Sequence, residues 1–140
     1  MKTQERGGEE VASTLAIPGL SFRPASPGDW DAIAEVFNAA RRADGVDEVQ
    51  TGESLRADHG ESESFVLARD MLLAEVDGRL AGLAMGYRVV REGSLVAETS
   101  GEVHPDFRRR GVGTALYLST RARLTEECAA DPRPGSRELR

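Results

Sequence analysis

The chain of 140 residues lacks the features that mark secreted and membrane-spanning proteins. Its single cysteine, Cys128, cannot form a disulfide within the chain and is interpreted as having no functional role. The chain therefore does not require an oxidising compartment. No apolar run approaches the roughly 20 residues of a membrane span. The polar, acidic N-terminus lacks the apolar core of a secretory signal. These absences favour a cytoplasmic protein without a membrane partner.

Lysine is also nearly absent, because Lys2 is the only one in the chain. With 24 acidic residues against 18 basic ones, the net charge is −6. This acidic balance argues against general nucleic-acid binding, and no motif indicates a metal. Hydrophobic residues make up 39% of the chain and charged residues 30%, which is typical of one globular domain.

A basic turn that contains glycine is the most informative stretch. Arg108, Arg109 and Arg110 precede Gly111 and Gly113, between a run that alternates like a strand and a run with helical spacing. The first N–H groups of a helix have no intrahelical partner, and the helix dipole places roughly half a positive charge there. Glycine lets a phosphate approach the backbone closely. This order of elements therefore predicts an anion site that suits a pyrophosphate.

Two other phosphate-binding motifs do not fit this turn. A P-loop requires a lysine directly after its second glycine, and the region has no lysine. A dinucleotide-binding fingerprint requires a third glycine three residues after the second, where this chain has Leu116.

The first third of the chain predicts an arm, an edge strand and a helix. Residues 1–19 are expected to form a flexible N-terminal arm, because residues 2–10 have no apolar period and residues 11–17 form either a short helix or no element. Leu20–Pro24 alternates like an edge strand. Ser26 is a good N-cap for a helix whose apolar residues recur at helical spacing until about residue 43. A short helix is expected within residues 53–58.

The middle of the chain predicts a three-stranded antiparallel meander. Its strands are expected at Met71–Val76, 80–90 and 95–103. The dipeptide Asp77-Gly78 between two apolar runs is a strong signal for a hairpin. Gly82 and Gly86 inside the second strand indicate a bulge or a close approach of the backbone. A helix follows the basic turn to about residue 127, and residues 128–140 are expected to form a flexible tail without a strand.

The pattern Arg108-x-x-Gly111-x-Gly113, with Val-x-Pro-x-Phe before it at 103–107, resembles the acyl-CoA pyrophosphate loop of the GNAT superfamily of N-acyltransferases. The resemblance covers residues 20–127 and implies an acyl-CoA-binding domain. The implied fold class is α/β of the α+β type, with a mostly antiparallel sheet of about four strands and flanking helices. It is the first half of the family fold, so the fold is expected to be incomplete.

The resemblance implies transfer of an acetyl group from acetyl-CoA, as cosubstrate, to an amine of a small molecule or peptide by direct attack. Backbone groups of Glu102 and Val103 would pair with the pantetheine arm. The pyrophosphate would be held by the loop residues Arg108, Arg109, Arg110, Gly111, Val112, Gly113 and Thr114.

A general base is needed to take the proton of the ammonium group. Glu98 and Glu102 are the candidates for this catalytic role because they lie on the strand beside the implied thioester. Their even separation places both on the same face of that strand. Tyr117 lies in the helix beyond the loop, where packing or exposure is a better explanation than acid catalysis.

The implied incompleteness leaves several accounts open. The chain is a truncated product of a longer, tandem two-domain GNAT protein, or a homodimer partner or second GNAT domain completes the sheet, or the half-fold has lost catalysis. The competing function is a non-catalytic module that binds acyl-CoA or a partner, and a truncated inactive fragment is the third alternative.

Overall fold

Five strands, joined in chain order, form the sheet of the computed structural model, which describes residues 17–60, 62, 65–131 and the backbone of 137–139. The elements are β1 (Leu20–Pro24), α1 (Trp30–Ala43), α2 (Gly52–His59), the single turn α3 (Leu67–Asp70), β2 (Met71–Val76), β3 (Arg79–Arg91), β4 (Ser94–Val103), α4 (Val112–Ala130) and β5 (Arg137–Leu139). No helix in these ranges is long and apolar enough to cross a membrane.

Two tight hairpin turns build the antiparallel part of the sheet, β1 to β4. Asp77 and Gly78 have φ angles of 50° and 82°, and Glu92 and Gly93 have φ angles of 51° and 79°. Positive φ at both central residues is the signature of the type I′ turn, whose twist matches that of paired strands. The predicted meander and the four antiparallel strands are confirmed.

Both expectations for the glycines of β3 are met. Ala74 pairs with Gly82 and Glu75 pairs with Leu80, so Ala81 is the extra residue of a bulge. A Cβ atom at Gly86 would lie 2.5 Å from Cγ2 of Thr120, because α4 packs directly on this position.

Helices cover the two faces of the sheet. The face under α1 and α2 buries Ile33 and Leu55 against Leu83 of β3. The opposite face packs Val112 and Leu116 of α4 against other sheet residues. Helix α1 is held by its apolar stripe, as the periodic spacing predicts, whereas the buried face of α4 also includes Ser119, Thr120 and Arg123.

The expectation that no strand follows the last helix is wrong. Helix α4 continues to Ala130, and β5 pairs in parallel with β4, with Leu95 opposite Arg137 and Ala97 opposite Leu139. An uncovered strand edge offers backbone partners that local sequence signals do not reveal. The other residues of the predicted arm and tail, 1–16, 132–136 and 140, lie outside the described residues.

Candidate functional site

The predicted anion loop joins β4 to α4 through a short 3₁₀ turn at Pro105–Phe107. Arg109 and Gly111 have φ angles of 64° and 86°, and this left-handed backbone turns the chain into the helix. The N–H of Ala115 donates to the carbonyl of Gly111 at 2.9 Å. The N–H groups of residues 112–114 therefore precede the first α-helical hydrogen bond and point out of the helix end, where an anion is favoured.

A cleft of about 250 Å³ extends from this loop along the uncovered edge of β4. Its lining residues are Leu83, Ala84, Thr99, Ser100, Gly101, Glu102, Val103, Gly113, Leu116, Tyr117 and Thr120. A Cβ atom at Gly113 would lie 3.3 Å from Cγ2 of Val103, so this glycine keeps the passage between loop and cleft open. Tyr117 is 45% exposed on the helical side of the cleft.

Arg108 reaches from the loop to the C-terminal end of α1. Its Nη1 lies 3.1 Å from Oδ1 of Asp44, and its Nη2 donates to the carbonyl of Ala40 at 3.4 Å. Its Nε donates to the carbonyl of Val103 at 3.4 Å. The side chain thus ties the loop to α1, and a direct contact of Arg108 with the cofactor stays a prediction.

Arg110 and Arg79 lie over the ring of Phe107, with guanidinium carbons 5.5 Å and 4.9 Å from its centroid. Phe107 is buried, so the two arginines cover it from solvent. Arg109 is exposed. Arg79 lies at the start of β3, and no local sequence motif connects it to the loop.

Glu98 and Glu102 share the face of the sheet that α1 covers. Glu98 pairs with Tyr87 and Glu102 with Leu83 across the β3–β4 ladder, and Leu83 packs against α1. The Glu98 carboxylate accepts a hydrogen bond from the Tyr87 hydroxyl at 2.9 Å and forms an ion pair with Arg91 at 2.8 Å. The expectation that both carboxylates share a face is confirmed, but Glu98 is already paired.

Glu102 has a different environment, because its carboxylate has no hydrogen bond or ion pair within the part of the chain that the structure describes. Partial burial raises the pKa of Glu102 above its ordinary value, and the nearby Asp44 carboxylate raises it further. Arg41 and Arg108 act in the opposite direction. Glu102 is also one of the residues that line the cleft, so an unpaired carboxylate lies on the strand that borders the cleft, with its side chain on the face that α1 covers.

Cys128 lies on α4, half-buried and outside the cleft lining. Among residues 17–131, apart from the undescribed positions 61, 63 and 64, no cluster of three or more His, Cys, Asp or Glu side chains could hold a metal.

Known sequences are similar to this chain over most of its length. The family model described as the acetyltransferase (GNAT) family matches residues 30–130. A mycothiol acetyltransferase from Geodermatophilus obscurus is 37% identical over 122 residues, which are 81% of this chain and 36% of that protein. The chain therefore spans about a third of the length of this relative.

Solved structures share the fold. A GCN5-related N-acetyltransferase from Sphaerobacter thermophilus is 28% identical with a TM-score of 0.62, over 81% of this chain and 34% of that chain. An acetyltransferase from Salmonella typhimurium, solved with its cofactor acetyl-CoA, is 22% identical with a TM-score of 0.54, over 79% and 65%. This second likeness supports the fold alone.

Proposed function

Because the chain belongs to the GNAT acetyltransferase family, we propose that it carries the acetyl-CoA site of an enzyme that acetylates an amine. The observation that carries the proposal is the cleft along β4, which starts at the anion loop and has Glu102 in its wall. A site for the cofactor and a free carboxylate are thereby neighbours.

The cofactor would lie along this cleft. The pyrophosphate would accept hydrogen bonds from the N–H groups of residues 109–114, where the helix dipole adds attraction. The pantetheine arm would pair with the backbone of Glu102 and Val103, as an added strand pairs with a sheet edge. Gly113 leaves room for this approach, since any side chain there would point toward Val103.

The chemistry would be a direct transfer. The Glu102 carboxylate would take a proton from the acceptor ammonium, directly or through water. The free amine would attack the thioester carbonyl carbon to form the new C–N bond. The C–S bond would then break, and the departing coenzyme A thiolate would take up, directly or through water, the second proton that the attacking nitrogen loses as the amide forms. No covalent enzyme intermediate is required, so Cys128 has no role.

The acceptor and the second half of the site are separate proposals. The name of the Geodermatophilus relative makes the unacetylated form of mycothiol the first acceptor to test. The edge of β4 has no strand beside it from Glu98 onward among the described residues, because β5 pairs only with Leu95, Val96 and Ala97. We propose that a second GNAT unit, in another copy or domain, covers this edge and supplies further acceptor contacts.

Calorimetric titration with acetyl-CoA tests the cofactor site. We expect micromolar binding by the natural chain and its loss in Gly113→Asp, whose carboxylate would block and repel the pyrophosphate. Ala122→Asp, on an exposed part of α4, adds the same charge outside the cleft and should bind normally. No binding by the folded natural chain would contradict the proposal.

Turnover is measured next with a panel of amine acceptors. The product is an acceptor whose mass has increased by one acetyl group. Mass spectrometry of the acceptor detects the product without interference from acceptor thiols. Sedimentation with and without acetyl-CoA measures association of the chain. Comparison with the turnover data shows whether activity requires that association. Binding without any acetylated product, for the monomer and for an associated form, would favour the non-catalytic acyl-CoA-binding module instead.

A further inference from the structure

Two arginines from distant parts of the chain lie over the same aromatic ring beside the anion loop. Arg79 begins β3 directly after the Asp77-Gly78 turn, and Arg110 precedes Gly111 at the start of α4. Both guanidinium groups lie over Phe107, a ring with only 5% of its surface exposed. The convergence brings cationic charge from the β2–β3 hairpin to the cofactor loop.

These cations are only partly neutralised. Among the described residues, Arg79 forms one ion pair, with Asp106, whose Oδ2 lies 3.4 Å from Nη2, and both side chains are more than 60% exposed. Arg110 has no hydrogen bond or ion pair within the ranges that the structure covers. Stacking on an aromatic ring orients a guanidinium plane and leaves its N–H edge free for an anion. Such an edge matches the oxygen atoms of a phosphate.

We propose that Arg79 and Arg110 form a second phosphate site, which holds the 3′-phosphate on the ribose of coenzyme A. This inference rests on the proposed function, since the pyrophosphate must first occupy the neighbouring loop. Coenzyme A carries its third phosphate on the adenosine side of the pyrophosphate, away from the pantetheine arm in the cleft. Arg110 adjoins the loop, and Arg79 extends the cationic surface outward from it.

Calorimetric titration with coenzyme A and with 3′-dephospho-coenzyme A tests the site. Exposed charge pairs are individually weak, so we expect the natural chain to prefer coenzyme A by about tenfold. In the double variant Arg79→Gln, Arg110→Gln the preference should fall to about twofold or less. Affinity for the dephospho form should change by less than about twofold, because the pyrophosphate loop is intact. Arg56→Gln removes an exposed arginine on α2 and should keep the full preference.

The other outcomes each overturn a defined statement. A double variant that keeps the preference, or a natural chain that binds both compounds equally, refutes the second phosphate site and leaves the proposed function standing. Equal loss of affinity for both compounds shows that the arginines only support Phe107, which also refutes it. Absence of binding of either compound by the natural chain refutes the proposed function and this inference together.

Asp106→Asn, which removes the competing carboxylate, should increase the preference for coenzyme A over the dephospho form by about twofold.

Discussion

At the scale of single residues, Glu98 and Glu102 show how neighbours decide the use of a carboxylate. Glu98 accepts a hydrogen bond from Tyr87 and pairs with Arg91, so its charge is compensated within the fold. Glu102 has neither kind of partner in the described part of the chain, and its burial raises its pKa. A carboxylate with a raised pKa is a better proton acceptor at neutral pH.

Replacing each carboxylate by its amide should separate these roles. We expect Glu102→Gln to lower kcat/KM by about a hundredfold or more, the range of a lost general base. Glu98→Gln is the matched control and should lower kcat/KM by less than about tenfold. Steady-state kinetics with saturating acetyl-CoA measure both. A larger loss in Glu98→Gln than in Glu102→Gln would assign the base to the other carboxylate.

The acidic limb of the pH profile should belong to Glu102. The base acts when it is deprotonated, so kcat/KM is lost as the pH falls through the pKa of Glu102, which lies above the ordinary value. The limb should vanish in Glu102→Gln together with the activity that depends on it, while Glu98→Gln should leave its position unchanged.

Gly86 is a position where one added carbon atom should lower stability. A Cβ atom there would meet Thr120, Arg123 and Leu124 at 2.5–2.8 Å. We expect Gly86→Ala to lower the free energy of unfolding by about 2 kcal/mol through overpacking. Gly28→Ala, whose Cβ atom would have no neighbour within 4 Å, should change it by less than about 0.5 kcal/mol. Urea unfolding measures both, and equal effects would contradict close packing of α4 on β3.

At the scale of elements, a charged contact fixes how β1 leads into α1. Asp29 accepts hydrogen bonds from the backbone N–H of Ser26 at 2.8 Å and from Arg23 of β1 at 2.8 Å and 2.9 Å. Arg23 also reaches Glu75 of β2 at 3.1 Å. The hydrogen bond from Arg23 is the largest cause that lowers the pKa of Asp29 to about 2. The Arg23 guanidinium of β1 thus joins the Asp29 carboxylate, which precedes α1, to Glu75 of β2.

This contact predicts a pH dependence of stability. The folded pKa of Asp29 lies below its unfolded value, so the stabilisation is complete above about pH 4 and is lost as the pH falls toward 2. Because the Arg23 side chain is 40% exposed, we expect solvent to reduce the charge contribution to about 1 kcal/mol. Asp29→Asn should lower the unfolding free energy at pH 7 by about 1–2 kcal/mol, including the weakened cap.

Urea unfolding at several pH values between 2 and 7 measures this contribution. The difference between the natural chain and Asp29→Asn should shrink as the pH falls below 4. Asp58→Asn, at an exposed position of α2, serves as the control and should show little difference at any pH. A constant difference for Asp29→Asn down to pH 2 would contradict the lowered pKa.

Local patterns predicted most elements because each depends on near neighbours. The Asp77-Gly78 turn, the helix that starts at Trp30 and the loop around Gly111 are set by backbone preferences and apolar spacing within a few residues. Strand β5 was missed because its pairing with Leu95 depends on an edge formed about forty residues earlier in the chain. The contact between Arg108 and Asp44 joins segments with no shared local signal.

At the scale of the whole molecule, a buried ion pair connects the helix α4 to the start of β2. The Arg123 side chain of α4 is 6% exposed and donates to the carbonyl of Gly86 in β3 at 2.7 Å. Its Nη1 lies 3.1 Å from Oδ1 of Asp70, whose side chain is 1% exposed at the junction of α3 and β2. Asp70 also accepts hydrogen bonds from Arg69 at 2.7 Å and from the N–H of Val66 at 2.8 Å. No sequence pattern indicates this cluster, because its members are brought together only by folding.

Removing the charge of Asp70 should be costly, because within the described residues it leaves the buried Arg123 with Glu127 as its one remaining acidic partner. We expect Asp70→Asn to lower the free energy of unfolding by about 3 kcal/mol. In a double-mutant cycle with Arg123→Met, the two changes should be coupled by more than about 1 kcal/mol, since residues in one network do not act additively. Asp58→Asn, exposed on α2, should change stability by less than about 0.5 kcal/mol. Additive effects in the cycle would show that α4 is held to the sheet by its apolar contacts alone, and the ion pairs would then be a consequence of that packing.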